Sequence, residues 1–227
     1  MTDLQRVIRH PNVPYVVPFA VFLLFLALQK AIPLPAIVDG PVRLILLTAV
    51  LYVFSRRVID LHATALAPST LIGIAVFIVW ILPDLLFPQY RQHWLFQNGV
   101  MGSLGSSLPA ADRLDTIVIG SRTLRAVVLV PIIEELFWRA WLMRWLISPT
   151  FERVRLGTYQ AQAFWITAIL FASEHGPFWD VGLIAGIAFN WWMVRTRSLG
   201  DCILAHAVTN ACLCGYVLAT HRWEYWL

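Results

Sequence analysis

The stretch "VPIIEELFWRAWLMRWLI", residues 130–147, decides the fold, because it sets two adjacent glutamates and an arginine inside what otherwise reads as membrane-embedded helix. A charged side chain at the centre of a span costs about 3 kcal/mol on insertion scales, so such residues face a bundle interior or a wet cavity and mark functional sites. On a helix Glu135 and Arg139 are four apart and share a face, while Glu134 points about 100° away. The two glutamates therefore have separate jobs. Glu135 can pair with Arg139; Glu134 has no cation on its own helix and needs a partner from another one. Pro131 lies one turn earlier and removes a backbone hydrogen bond, so the helix is expected to bend where this carboxylate enters the interior.

The rest of the chain agrees with a membrane setting. Of the 227 residues, 59% are hydrophobic and only 13% charged, and the mean hydropathy is +0.70, values well outside those of ordinary soluble domains. Apolar segments fall near 13–32, 40–55, 67–88, 123–147, 160–175, 181–195 and 201–220, most of them about the 17 to 25 residues that cross a hydrocarbon core. We expect an all-α, polytopic transmembrane helix bundle of seven spans, or eight if the long connection 89–122 hides another. It would form a single transmembrane domain over 1–227, with 120–220 as the core helices that carry the polar motifs. No internal repeat supports an inverted-repeat transporter.

Charge and cysteine usage remove other classes. The 17 Lys and Arg against 13 Asp and Glu leave +4, but the basic residues are scattered between apolar runs, which argues against nucleic-acid binding. Cys202, Cys212 and Cys214 are odd in number and lack CxxC spacing, so they read as apolar filler. Arg6 and Arg9 precede an apolar run with no small-residue cleavage site after it, as in an uncleaved anchor. With the N-terminus inside, the inner segments collect Arg6, Arg9, Arg56, Arg57, Arg144, Arg153, Arg155, Arg195 and Arg197. The outer ones hold Lys30, Arg43, Arg91, Arg113, Arg122, Arg125 and Arg222. That balance favours a cytoplasmic N-terminus, in a bacterial inner membrane.

Partners for Glu134 come from later spans. "FASEH" places Phe171 and His175 on one helical face, and "HAVTN" does the same for His206 and Asn210. His175 is followed by Gly-Pro, which ends a helix, and Glu134 facing this imidazole would form a general acid/base pair. Depth is a strain on this reading. Counted from Thr123, Glu134 lies about 17 Å along its helix, whereas His206 lies about 9 Å past Gly200 from the opposite side. A common level then requires tilt or a different helix start.

The three elements E-E-x-x-x-R (Glu134, Glu135, Arg139), F-x-x-x-H (Phe171, His175) and H-x-x-x-N (His206, Asn210), in this order on successive late helices, resemble the CAAX protease and bacteriocin-processing family of intramembrane endopeptidases. The resemblance implies peptide-bond hydrolysis by water activated between Glu134 and His175, with His206 and Asn210 lining an oxyanion hole. Glu135, Arg139 and Phe171 would support them. Its substrates would be peptides or proteins, lipidated or membrane-anchored: a prenylated CAAX tail, a leader or a sorting signal, met among membrane lipids. No cofactor is favoured. Zinc on Glu134, His175 and His206 is the alternative, although no H-E-x-x-H occurs, no two histidines are four apart, and with Glu134 as a ligand the general base would have to come from elsewhere. Outside catalysis, the same groups would suit a scaffold or immunity protein of the same fold, or a proton-coupled carrier, and each histidine taken alone has a plainer role as an interhelical hydrogen bonder.

Overall fold

The computed structural model describes residues 10–29, 31 and 34–226; the expectations resting on Arg6, Arg9 and Lys30 lie outside the described residues. Among the described residues seven long helices run alternately up and down: α1 (Val13–Leu28), α2 (Ala36–Ser55), α3 (Leu66–Leu86), α4 (Thr116–Trp145), α5 (Ala161–Ser173), α6 (Trp179–Thr196) and α7 (Leu199–Thr220). Of these, α2, α3, α4 and α7 are long and apolar enough to cross a membrane, while α1 and α5 are apolar but shorter. α6 has 18 residues yet carries Asp180 and Arg195 and falls outside that set. Large apolar side chains such as Ile45, Leu71 and Ile78 stay exposed on the outer faces, the arrangement a lipid solvent demands.

Each end of the bundle is tied by side chains. Ser55 donates to the Pro14 carbonyl, the Tyr15 and Phe151 rings meet edge-on at 5.2 Å, and Ser198 donates to the carbonyl of His62. These contacts gather the starts of α1, α3 and α7 with the ends of α2 and α4. At the opposite end, Tyr90 bonds Asp180, Tyr225 bonds Asp84, and Ser107 bonds the Trp226 carbonyl. Asp201 fastens the start of α7 to that of α3 by accepting from the Ala65 N–H at 2.8 Å and from Thr64 at 3.0 Å.

Small residues set the closest packing. A side chain on Gly73 would collide with the backbone of Ala205 and with Val208, so this glycine is what lets α3 lie directly against α7, where Thr209 donates to its carbonyl at 2.9 Å. α5 lies along α6. The buried core is centred on α4, with Ile133, Leu136, Phe171, Phe189 and Cys202 packed together.

The connection 89–122 resolves differently from the expectation of a hidden span. Among the described residues it holds two short 3-10 turns, Tyr90–Gln92 and Ala110–Asp112, before Asp115 caps α4 by accepting from the Ile117 and Val118 N–H groups. α4 therefore begins at Thr116, seven residues before the predicted start. The depth conflict narrows: measured from the end where α4 stops and α7 starts, Glu134 lies 11 residues in from Trp145 and His206 lies 7 in from Leu199, about 16 and about 10 Å, and the two side chains span the difference to come within 4.0 Å.

Candidate active site

Four helices supply the polar groups, and α4 supplies the anchor. Arg139 is fully buried; its Nη1 donates to Glu135 Oε1 at 3.0 Å and its Nε to Asn190 Oδ1 at 3.1 Å. Asn190 is held in turn by donating to the Phe164 carbonyl at 2.8 Å. The flat guanidinium also lies 4.4 Å from the Phe171 ring centre, so ring electron density faces a cation that water does not reach. The expected Glu135–Arg139 tie is present, extended by Asn190 of α6.

Glu135 then passes the constraint to α7. His206 Nδ1 lies 2.8 Å from the same Glu135 Oε1, and a carboxylate already paired with arginine can only accept, so Nδ1 carries the proton. Phe189 stacks on the His206 ring at 5.0 Å. Both the bond and the stacking fix the imidazole with Nε2 outward, 4.0 Å from Glu134 Oε2. That oxygen is buried and accepts no hydrogen bond. For the expected oxyanion-hole role this has a consequence: with Nδ1 committed to Glu135, His206 Nε2 donates only when the ring is the cation.

His175 sits just past the end of α5, before the short turn Gly176–Phe178. Its Nδ1 donates to the Phe171 carbonyl at 2.7 Å, one of the carbonyls a helix end leaves without an internal partner. In the neutral ring this leaves Nε2 as the bare, proton-accepting nitrogen. Phe171 packs beneath the ring at 4.7 Å and Trp80 meets it edge-on at 5.2 Å. On the facing helix Gly182 leaves the room, since a Cβ there would stand 3.2 Å from the imidazole. The ion-range neighbour of Glu134 is His206 rather than His175, because the Phe171 carbonyl holds His175 at the end of its own helix.

Asn210 meets the consequence of Pro131. α4 opens into a π turn over Arg125–Leu129, in which a carbonyl looks to the N–H five residues on. For Ala126 that residue is Pro131, which has none. Asn210 Nδ2 donates to the Ala126 carbonyl at 2.8 Å instead, leaving its second amide hydrogen uncommitted.

Glu134, His175, His206 and Asn210 all line one cavity of about 270 Å³, walled by Trp80, Phe171 and Phe189. It lies toward the end of the bundle that carries Tyr225 and Trp226, which also line it. Among the described residues no group of three or more His, Cys, Asp or Glu side chains is placed to hold a metal. Glu174, Arg122 and Arg125 line the cavity too, and spacing along the chain gives them no site role. Asn190 has none from spacing either; a polar residue amid "AFNWW" was the available signal.

Apolar helices enclosing a cavity lined by carboxylate, imidazole and amide define an integral membrane protein with a buried polar site. Residues 118–212 match the family described as Rce1-like, Type II CAAX prenyl endopeptidase Rce1-like. The match is a similarity over less than half of the chain, and the matched stretch contains all seven of the residues singled out by motif. The family is one of proteases, hydrolases acting on peptide or protein substrates. No curated protein and no solved structure gives a match.

Proposed function

We propose that this protein is an intramembrane endopeptidase that cleaves a peptide bond near the C-terminus of a lipidated or membrane-anchored substrate, by water activated in the cavity of Glu134. The observation that carries the reading is that Glu134, His175, His206 and Asn210, from α4, α5 and α7, line one cavity. Glu134 Oε2, with no hydrogen bond of its own, takes a proton from water, and the hydroxide attacks the scissile carbonyl. His175 Nε2 accepts from the second O–H of that water and aligns it. As the C–O bond forms, the oxyanion is met by Asn210 Nδ2–H and by His206 Nε2–H, the latter cationic against Glu135. Collapse breaks the C–N bond; Glu134 returns its proton to the leaving amine, and His175 takes the proton of the new acid.

The cavity walls are aromatic and aliphatic, which suits a prenylated CAAX tail over a polar leader. We assign the chain to a bacterial inner membrane with its N-terminus cytoplasmic, supported by Arg56, Arg57, Arg153, Arg155, Arg195 and Arg197 at the bundle end where α1 begins. Purified protein with a prenylated CAAX peptide tests the activity. Glu134→Gln should lower cleavage by about 10²- to 10³-fold while keeping the thermal transition, and His206→Gln should behave similarly. Unchanged cleavage in Glu134→Gln would end the assignment. A scaffold or immunity protein predicts no cleavage by either form, and a carrier predicts substrate-dependent proton flux in vesicles.

A further inference from the structure

The wall between the catalytic cavity and a smaller one contains two arginines. Arg122 and Arg125, three apart on α4 and so on one face, line both the 270 Å³ cavity and a neighbouring one of about 190 Å³ that includes Asp39 and Ser107. Arg122 donates to Ser107 Oγ at 2.8 Å and lies 5.2 Å from the Trp226 ring. Arg125 differs: its Nη1 is buried and has no hydrogen-bond partner. The one carboxylate lining the second cavity, Asp39, is already engaged by Arg43 at 2.7 Å. Within a membrane span an uncompensated guanidinium is costly, and its fork of donors matches an oxyanion.

We propose that Arg125, assisted by Arg122, is an anion subsite that holds the C-terminal α-carboxylate of the substrate and so counts the residues to the scissile bond. This rests on the hydrolytic reading of Glu134. Arg125 and Glu134 are nine positions apart on one helix, about 13 Å, which is the reach of about four extended residues at about 3.3 Å each. A tail anchored at Arg125 and running along the apolar cavity presents a bond about three to four residues from its end to Glu134. A phosphate from a lipid headgroup offers the same oxyanion chemistry, and the source is separable by experiment.

Three prenylated peptides serve as probes: one with a free C-terminal acid, its carboxamide, and the acid lengthened by two residues. Each is presented in micelles of zwitterionic lipid with and without anionic phosphatidylglycerol. Cleavage is read with wild type, Arg125→Gln and Arg125→Lys, and binding is read with Glu134→Gln alone and combined with each Arg125 change. The acid should surpass both the carboxamide and the extended peptide by about 10- to 100-fold in kcat/KM, the scale of a desolvated charge-assisted pair. Arg125→Gln should erase the acid-to-amide difference, and Arg125→Lys should restore part of it. Equal losses on acid and carboxamide in Arg125→Gln, or a loss that follows phosphatidylglycerol content, overturn the proposal while cleavage itself stands. Absence of cleavage with a retained acid preference in binding overturns the protease reading and leaves the subsite. Absence of both overturns both.

Discussion

Arg91 and Arg139 are both buried arginines held by carboxylates, yet they do different work. Arg91 sits where loops meet at one end of the bundle, donating to Asp84 at 2.9 Å, to Asp180 at 2.8 Å and to the Pro177 carbonyl at 2.7 Å, with Phe178 under its guanidinium at 4.3 Å. Its two acids are closed off by tyrosine hydroxyls, Tyr225 on Asp84 and Tyr90 on Asp180. Each of these bonds ends in structure, although Arg91 Nη2 is itself buried without a partner. The Arg139 knot instead leads, through Glu135, to an imidazole whose far nitrogen faces a cavity and a second glutamate. A buried charge that ends in tyrosines ties loops together; one that ends in a histidine beside a carboxylate with no hydrogen bond on one oxygen is, on the function proposed above, what orients the reacting groups.

Breaking the inner knot should have the largest effect. Arg139→Leu strands Glu135 in the core and should cost about 3–5 kcal/mol of stability, the penalty for halving a buried pair, and it should abolish cleavage because His206 loses its orientation; thermal unfolding and peptide hydrolysis read the two losses together. Next, Glu134→Gln should separate them, with hydrolysis lost by about 10²- to 10³-fold and the unfolding transition within about 0.5 kcal/mol of wild type. Arg91→Met should do the reverse. It should cost about 2–3 kcal/mol, reduced because both acids keep their tyrosine donors, with kcat changing by less than about tenfold. A catalytic loss there as large as that of Glu134→Gln would erase the contrast between the two knots.

The smallest effect is a pH dependence in the outer knot. Burial, then the hydrogen bond and charge of Asp84, raise the Tyr225 pKa above its ordinary 10.0. The folded state therefore keeps a proton that the unfolded chain releases, so this stability is fully present below about pH 10 and declines as pH rises beyond it. Thermal scans from pH 8 to 11 should show the decline, and Tyr225→Phe should flatten it; an equal slope in both proteins would remove Tyr225 from the network.

Span existence and the motif residues were readable along the chain because apolar runs and i, i+4 spacing are local properties. Seven helices match seven runs, although only four are long and apolar enough to cross by themselves. The start of α4 was not readable. Its first turns, "TIVIGSRTL", carry polar residues that resemble a loop in sequence, and the Asp115 cap with the second cavity's polar wall makes them helical. The roles of Asn190 and Arg125 were not readable for a related reason: an asparagine or arginine in a span announces only that some partner is required.

By itself, the sequence determined that the chain is a helical membrane protein with a glutamate, two histidines and an asparagine on late helices, since hydropathy and helical periodicity depend on neighbours a few residues apart. Tertiary structure alone decided which atoms face one another. His206 belongs to Glu135 through Nδ1, Asn210 takes the carbonyl that Pro131 cannot satisfy, and Arg125 is left with a nitrogen unbonded beside the cavity. Those pairings join residues as far as 84 positions apart, and only the packing of α4 against α7 brings such groups within hydrogen-bond reach.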